Sequence, residues 1–120
     1  MYIITKEFHF SASHHLPSLP DEHPCKRVHG HNYIVIVELQ SEELNEHGFV
    51  REFAELNQLR DYIDEKFDHR LLNDVVGDNM VSSECLAKHF YDWCAALWPE
   101  TSAVKIIETP KLTAEYRPRK

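Results

Sequence analysis

Three histidines in two short stretches offer metal chemistry. His29 and His31 form a His-x-His pair, and His14 lies upstream at the end of an alternating apolar segment. Three neutral imidazoles at about 2.0–2.1 Å from a zinc ion leave its fourth position open to water or substrate, the arrangement of a catalytic rather than a closed structural site. The chain carries nine histidines, with His9, His14, His15, His23, His29 and His31 in its first third. His15 is the competitor to His14, but strand alternation puts it on the other face from Phe8 and Phe10. Cys25 lies four residues before His29, where a thiol near a metal can act as base or nucleophile. As a fourth metal ligand it would instead close the site. Asp68-His69 pairs a carboxylate with an imidazole, which can fix a tautomer and raise basicity, although adjacent side chains on a regular element diverge. Glu108, at the end of an apolar strand, is placed either to be solvated or to grip a guanidine-like edge with two hydrogen bonds.

The elements that position these residues follow from periodicity. Tyr2–Ser13 alternates, so that Phe8, Phe10, Ala12 and His14 share one face of a strand. Pro17, Pro20 and Pro24 make the next stretch a loop that contains Cys25. The run HGHNYIVIVELQ is rich in β-branched and aromatic residues and returns as a second strand with His29 and His31 pointing the same way. Gly30 between them suits a close backbone approach. After a turn at Asn45–Gly48, Phe53, Leu56, Leu59, Ile63 and Phe67 recur at helical spacing. A second helix opens near Ser82 or Ser83, with Leu86, Phe90, Trp93 and Leu97 as its apolar stripe, and Pro99 ends it. Strands over Ala103–Glu108 and Leu112–Tyr116 flank a turn at Thr109-Pro110-Lys111. The order ββααββ predicts an α+β fold, an antiparallel sheet with both helices on one face, as a single domain over residues 1–120.

Composition narrows the function classes. Thirteen Lys and Arg against 20 Asp and Glu give a formal charge of -7, which argues against general binding of nucleic acid or anionic membrane. Lys26, Arg27 and Arg70 are the local candidates for holding a phosphate. Without a basic segment followed by a long apolar run, a cytoplasmic protein is expected. Three irregularly spaced cysteines do not form a disulfide framework, and Cys85 and Cys94, on the second helix, read as buried. A chain of 120 residues leaves much surface uncovered, so oligomerisation is a natural way to add core and to build sites between subunits.

Taken in order, Ala12-Ser13-His14, Cys25-Lys26-Arg27-Val28-His29-Gly30-His31, Asp68-His69 and Glu108-Thr109 resemble the 6-pyruvoyl-tetrahydropterin synthase and 6-carboxy-tetrahydropterin synthase family over nearly the whole chain. The resemblance implies a tunnelling fold, in which ββααββ subunits join their sheets into a trimeric barrel and two trimers stack into a homo-hexamer with sites between subunits. It implies zinc on His14, His29 and His31, Cys25 as the proton-transferring thiol, Asp68 and His69 completing its relay, and Glu108 anchoring the pterin ring. The Leu16-Pro17 that follows His14-His15, together with the short chain, is most similar to the 6-carboxy-tetrahydropterin synthases. These are zinc-dependent carbon-carbon lyases that convert 7,8-dihydroneopterin triphosphate to 6-carboxy-5,6,7,8-tetrahydropterin, acetaldehyde and triphosphate on the 7-deazapurine route to queuosine. Glu52-Phe53 stands where the family commonly has Asp-Phe, and Met80-Val81-Ser82 and Glu84-Cys85 stand where Asn-Pro-Thr and Glu-Asn are frequent. These departures bear on the contacts around the ring. The competing readings are a 6-pyruvoyl-tetrahydropterin synthase, a zinc-stabilised pterin-binding assembly protein without catalysis, and a generic zinc hydrolase. The last lacks a Glu at the spacing of the helical zinc-protease motif.

Overall fold

Alternation in the first strand translates directly into burial. In a computed structural model that describes residues 1–119, β1 (Tyr2–His14) buries Phe8, Phe10, Ala12 and His14 and turns the residues between them outward. It pairs antiparallel with β2 (His29–Ser41), in a register that sets Phe10 opposite Tyr33, Ala12 opposite His31 and His14 opposite His29. Directly opposed residues on one face of an antiparallel pair are side-chain neighbours. Phe10 and Tyr33 accordingly stack with ring centroids 5.0 Å apart, and the three histidines fall together at one end of the ladder. A Cβ at Gly30 would meet only the Ala12 carbonyl, at 3.5 Å. This is ordinary contact, so within one chain no close backbone approach demands the glycine.

The sheet continues through β3 (Thr101–Thr109) and β4 (Leu112–Tyr116) in the order β1-β2-β3-β4, all antiparallel. Val35 faces Ile106 and Val37 faces Val104 across β2 and β3, with a bulge between Glu38 and Leu39. The outer strands β1 and β4 each leave one edge without a partner strand among the described residues.

Three helices cover the core face where the sequence predicted two. The expected first helix begins as a 3-10 segment (Phe53–Leu56) and becomes α-helical as α1 only over Asn57–Lys66. Phe53, assigned by spacing to the apolar stripe, is half exposed, because the tighter 3-10 turn rotates it off the face of Leu59 and Ile63. The additional helix α2 (Leu72–Val76) is closed by Gly77 in the left-handed conformation, φ 83°, where a missing Cβ avoids strain. Helix α3 (Ser83–Leu97) opens where predicted, its cap Ser82 accepting the Cys85 N–H at 3.2 Å. Leu86, Phe90 and Cys94 of α3 pack with Leu59, Ile63 and Phe67 on Phe8, Phe10, Val35 and Ile106 in one core. Leu97, the last member of the predicted stripe, is largely exposed. Burial pushes the Cys94 thiol up to about 12, the behaviour of an inert core residue. No helix among the described residues is long and apolar enough to cross a membrane.

Candidate active site

The histidine group is built by the β1–β2 ladder and oriented by loop carbonyls. His14 is buried, and its Nδ1 donates to the Val81 carbonyl at 2.8 Å; His29 Nδ1 donates to the Arg27 carbonyl at 2.7 Å. A backbone acceptor on Nδ1 fixes the proton there and leaves the Nε2 lone pair free for a metal. Those lone pairs converge. His14 Nε2 and His29 Nε2 are 3.0 Å apart, and the nitrogens of His14, His29 and His31 all lie within 4.8 Å of one another. Two lone pairs at that distance repel unless a cation or proton lies between them, and a tetrahedral ion with 2.0–2.1 Å bonds separates its nitrogens by about 3.3 Å. His31 Nε2 is buried and makes no well-aligned hydrogen bond, although Glu108 Oε1 lies 3.0 Å away, which leaves its lone pair available to a ligand. Burial lowers the pKa of both His14 and His31, which keeps the imidazoles neutral and able to bind metal. The group can therefore hold a metal ion, and its chemistry suits zinc.

Several residues that support the site carry little signal in the sequence. The Tyr33 hydroxyl lies 3.3 and 3.4 Å from the two nitrogens of His14, with its pKa raised by burial. Asn73, buried on α2, accepts the His15 N–H at 3.1 Å and donates to the His15 carbonyl at 2.9 Å. It thereby pins the chain just after His14 as a neighbouring strand would. His15 thus contributes its backbone, and its ring is not among the grouped donors. Val81 contributes a carbonyl, so the family departure at this position leaves the orientation of His14 intact. A buried Asn in a five-residue helix and a loop carbonyl have no periodicity to betray them.

Cys25 sits in a 3-10 turn (Pro24–Lys26), partly exposed, with its carbonyl accepting the Leu16 N–H at 2.9 Å. That bond ties the thiol's loop to the end of β1. Cys25 lies outside the group of metal-capable donors, which disfavours a closed four-ligand site.

Asp68 and His69 meet by a backbone device that sequence reasoning did not foresee. His69 has φ 59°, a left-handed conformation uncommon for a residue with a side chain. This turns the ring back so that Nδ1 lies 2.9 Å from Asp68 Oδ2. Asp68 Oδ1 accepts the Ser11 N–H at 2.9 Å, which holds the carboxyl below the ordinary carboxylate range, and the His69 N–H donates to the Ser11 carbonyl at 2.6 Å. The imidazole itself is 82% exposed, beside a depression of about 370 Å³ lined by Ser11, Ser13, Gly30 and Asn32. Among the described residues, His69 and Cys25 share no hydrogen bond. Glu108 completes the picture: its Oε1 approaches His31 Nε2 at 3.0 Å and His14 Nε2 at 3.6 Å.

An antiparallel sheet covered by helices on one face, with a three-histidine group at the end of its first two strands, is the framework of an α+β protein able to hold a metal ion. The chain belongs to the 6-pyruvoyl tetrahydropterin synthase family, whose model matches residues 3–119. Its relatives include the 6-carboxy-5,6,7,8-tetrahydropterin synthase of Bacillus subtilis, 34% identical over 98% of this chain and 86% of the relative. The Synechocystis protein of the same name is 34% identical over 97% of this chain and 93% of its own length. Among solved structures, the 6-pyruvoyl tetrahydropterin synthase of Caenorhabditis elegans superposes with a TM-score of 0.82 at 28% identity, covering 99% of this chain and 98% of that one.

Proposed function

We propose that this chain is a 6-carboxy-tetrahydropterin synthase, a zinc-dependent lyase that converts 7,8-dihydroneopterin triphosphate to 6-carboxy-5,6,7,8-tetrahydropterin, acetaldehyde and triphosphate. The observation that carries the reading is the convergence of one ring nitrogen from each of His14, His29 and His31 within 4.8 Å in a chain one-third identical to proteins of that name. His14, His29 and His31 would hold the zinc, whose Lewis acidity would acidify the hydroxyls of the substrate side chain. Cys25 serves as the proton-transferring thiol on the loop beside the site. Asp68 holds His69 through Nδ1, which presents Nε2 outward as the partner in proton transfer. Glu108 grips the amino and N–H edge of the pterin, a bidentate pairing that fixes the ring relative to the metal.

The exposed His69 and the outer edges of β1 and β4, which have no partner strand along most of their length, favour an assembly in which one subunit's Asp68-His69 serves a neighbour's Cys25. The proposed assembly is the homo-hexamer of two stacked trimeric barrels, working in the cytoplasm. The product would enter the 7-deazapurine route to queuosine.

The test incubates zinc-loaded protein with 7,8-dihydroneopterin triphosphate and follows acetaldehyde and pterin mass together. Stoichiometric acetaldehyde with the 6-carboxy product is expected. The pyruvoyl product would move the chain to the sister activity, the reading that its likeness to the Caenorhabditis elegans protein favours. Cys25→Ala should abolish turnover while leaving zinc bound. Turnover unchanged by that substitution would reject the thiol's role, and absence of turnover in the parent protein would favour the pterin-binding assembly reading.

A further inference from the structure

Glu108 belongs to β3, yet its carboxylate is turned toward histidines of β1 and β2. Its Oε1 lies 3.0 Å from His31 Nε2 and 3.6 Å from His14 Nε2, the atoms that face the metal position. Among the described residues these imidazoles are its only ion-pair neighbours. It is about one-fifth exposed, so water screens it only in part. His14 is fully enclosed, and three neutral imidazoles bring no charge to offset a dication.

We infer that in the substrate-free protein Glu108 faces the histidine group and strengthens its hold on a divalent ion, so that one carboxylate serves the metal site before it serves the ring. The inference rests on the reading of His14, His29 and His31 as a metal site. The physical reason is charge. A dication on neutral ligands in a partly desolvated site keeps its full charge, and an anionic oxygen within 3–4 Å of the ligating nitrogens offsets it. Groups that support a metal site in this way typically change its affinity by about 10- to 100-fold when removed.

The experiment titrates zinc into chelator-stripped protein against a chromophoric competitor, without substrate. Glu108→Gln preserves shape and removes the charge, and is expected to bind zinc about 10- to 100-fold more weakly. Its zinc-induced rise in melting temperature should shrink accordingly. Glu108→Asp keeps the charge and should fall between the two, while Cys25→Ala should match the parent protein. If the parent binds zinc and Glu108→Gln binds it within twofold, the inference is overturned and the metal site stands. An aspartate variant no better than the glutamine one would assign the effect to shape and equally overturn it. Failure of the parent to bind zinc would remove the metal reading and the inference together.

Discussion

Replacing Asp68 with alanine removes two acceptors at once, and the structure says how unequal they are. The Ser11 N–H, 2.9 Å from Oδ1 in a partly buried position, loses its partner, and a stranded donor of this kind costs about 1–2 kcal/mol. The His69 contact at 2.9 Å involves an imidazole that is 82% exposed, and such a pair contributes under about 1 kcal/mol. The sum is about 2 kcal/mol, or a fall of about 6–10 °C in melting temperature for a domain of this size. Asp68→Asn keeps an acceptor for Ser11 and loses only the charge, so it should fall roughly half as far. The pH dependence has a definite sign. The Ser11 N–H holds the folded carboxyl below its ordinary value, so folding favours the deprotonated form. The stability this contributes is present above the unfolded pKa of about 3.9 and is lost as pH falls through the folded value. Urea unfolding of the parent and both variants at pH 7 and pH 3 is the assay, with the gap between parent and Asp68→Asn narrowing at the lower pH. A gap of equal size at both pH values, or an alanine variant as stable as the parent at pH 7, would refute the reasoning.

Zinc at about 100 times its Kd should stabilise the folded chain by about 2.7 kcal/mol, and His29→Ala, which deletes one of the converging nitrogens, should abolish that rise in a thermal melt. Phe90, fully buried, in edge contact with Phe10 and tilted against Phe67, should cost about 3–5 kcal/mol when truncated to alanine, measured by urea unfolding with zinc present throughout. Arg51 donates to both oxygens of Glu100 at 2.9 Å and holds that carboxyl below its usual range, yet both side chains are about one-quarter exposed; Arg51→Met should therefore cost only about 1 kcal/mol with turnover unchanged. Sedimentation should give about six times the chain mass of 14.1 kDa for the proposed hexamer, and a monomer at working concentration would remove the shared-site reading.

The parts of the site that could be read in the sequence are those governed by local geometry. Period-two alternation fixes His14 on the face of Phe8 and Phe10 and places His29 beside His31, and a single antiparallel pairing then brings the three together. The contacts that escaped depend on terms that act over longer range or run against a local preference. Glu108 reaches the histidines only through the register of a third strand, set by the packing of Val104 and Ile106 and by the bulge at Glu38–Leu39; no spacing between Glu108 and His31 encodes it. Helix α2 is too short for an apolar period to emerge, and its contribution, the Asn73 side chain on the His15 backbone, is a tertiary hydrogen bond from a residue type that usually marks a loop. Asp68-His69 was legible as a pair of types but not as a contact, because regular backbone would splay the two side chains. The left-handed turn at His69 joins them. A conformation that disfavours a side chain by about 1–2 kcal/mol persists here because Ser11 receives a donor from His69 and gives one to Asp68, so β1 itself holds the proposed proton relay in place. The strand that carries His14 of the histidine group thus also sets the geometry of Asp68-His69 three residues earlier, at Ser11. A shift of β1 by one residue would turn His14 out of the histidine group and move the Ser11 N–H away from Asp68. The histidine group and the Asp68-His69 contact therefore depend on one register.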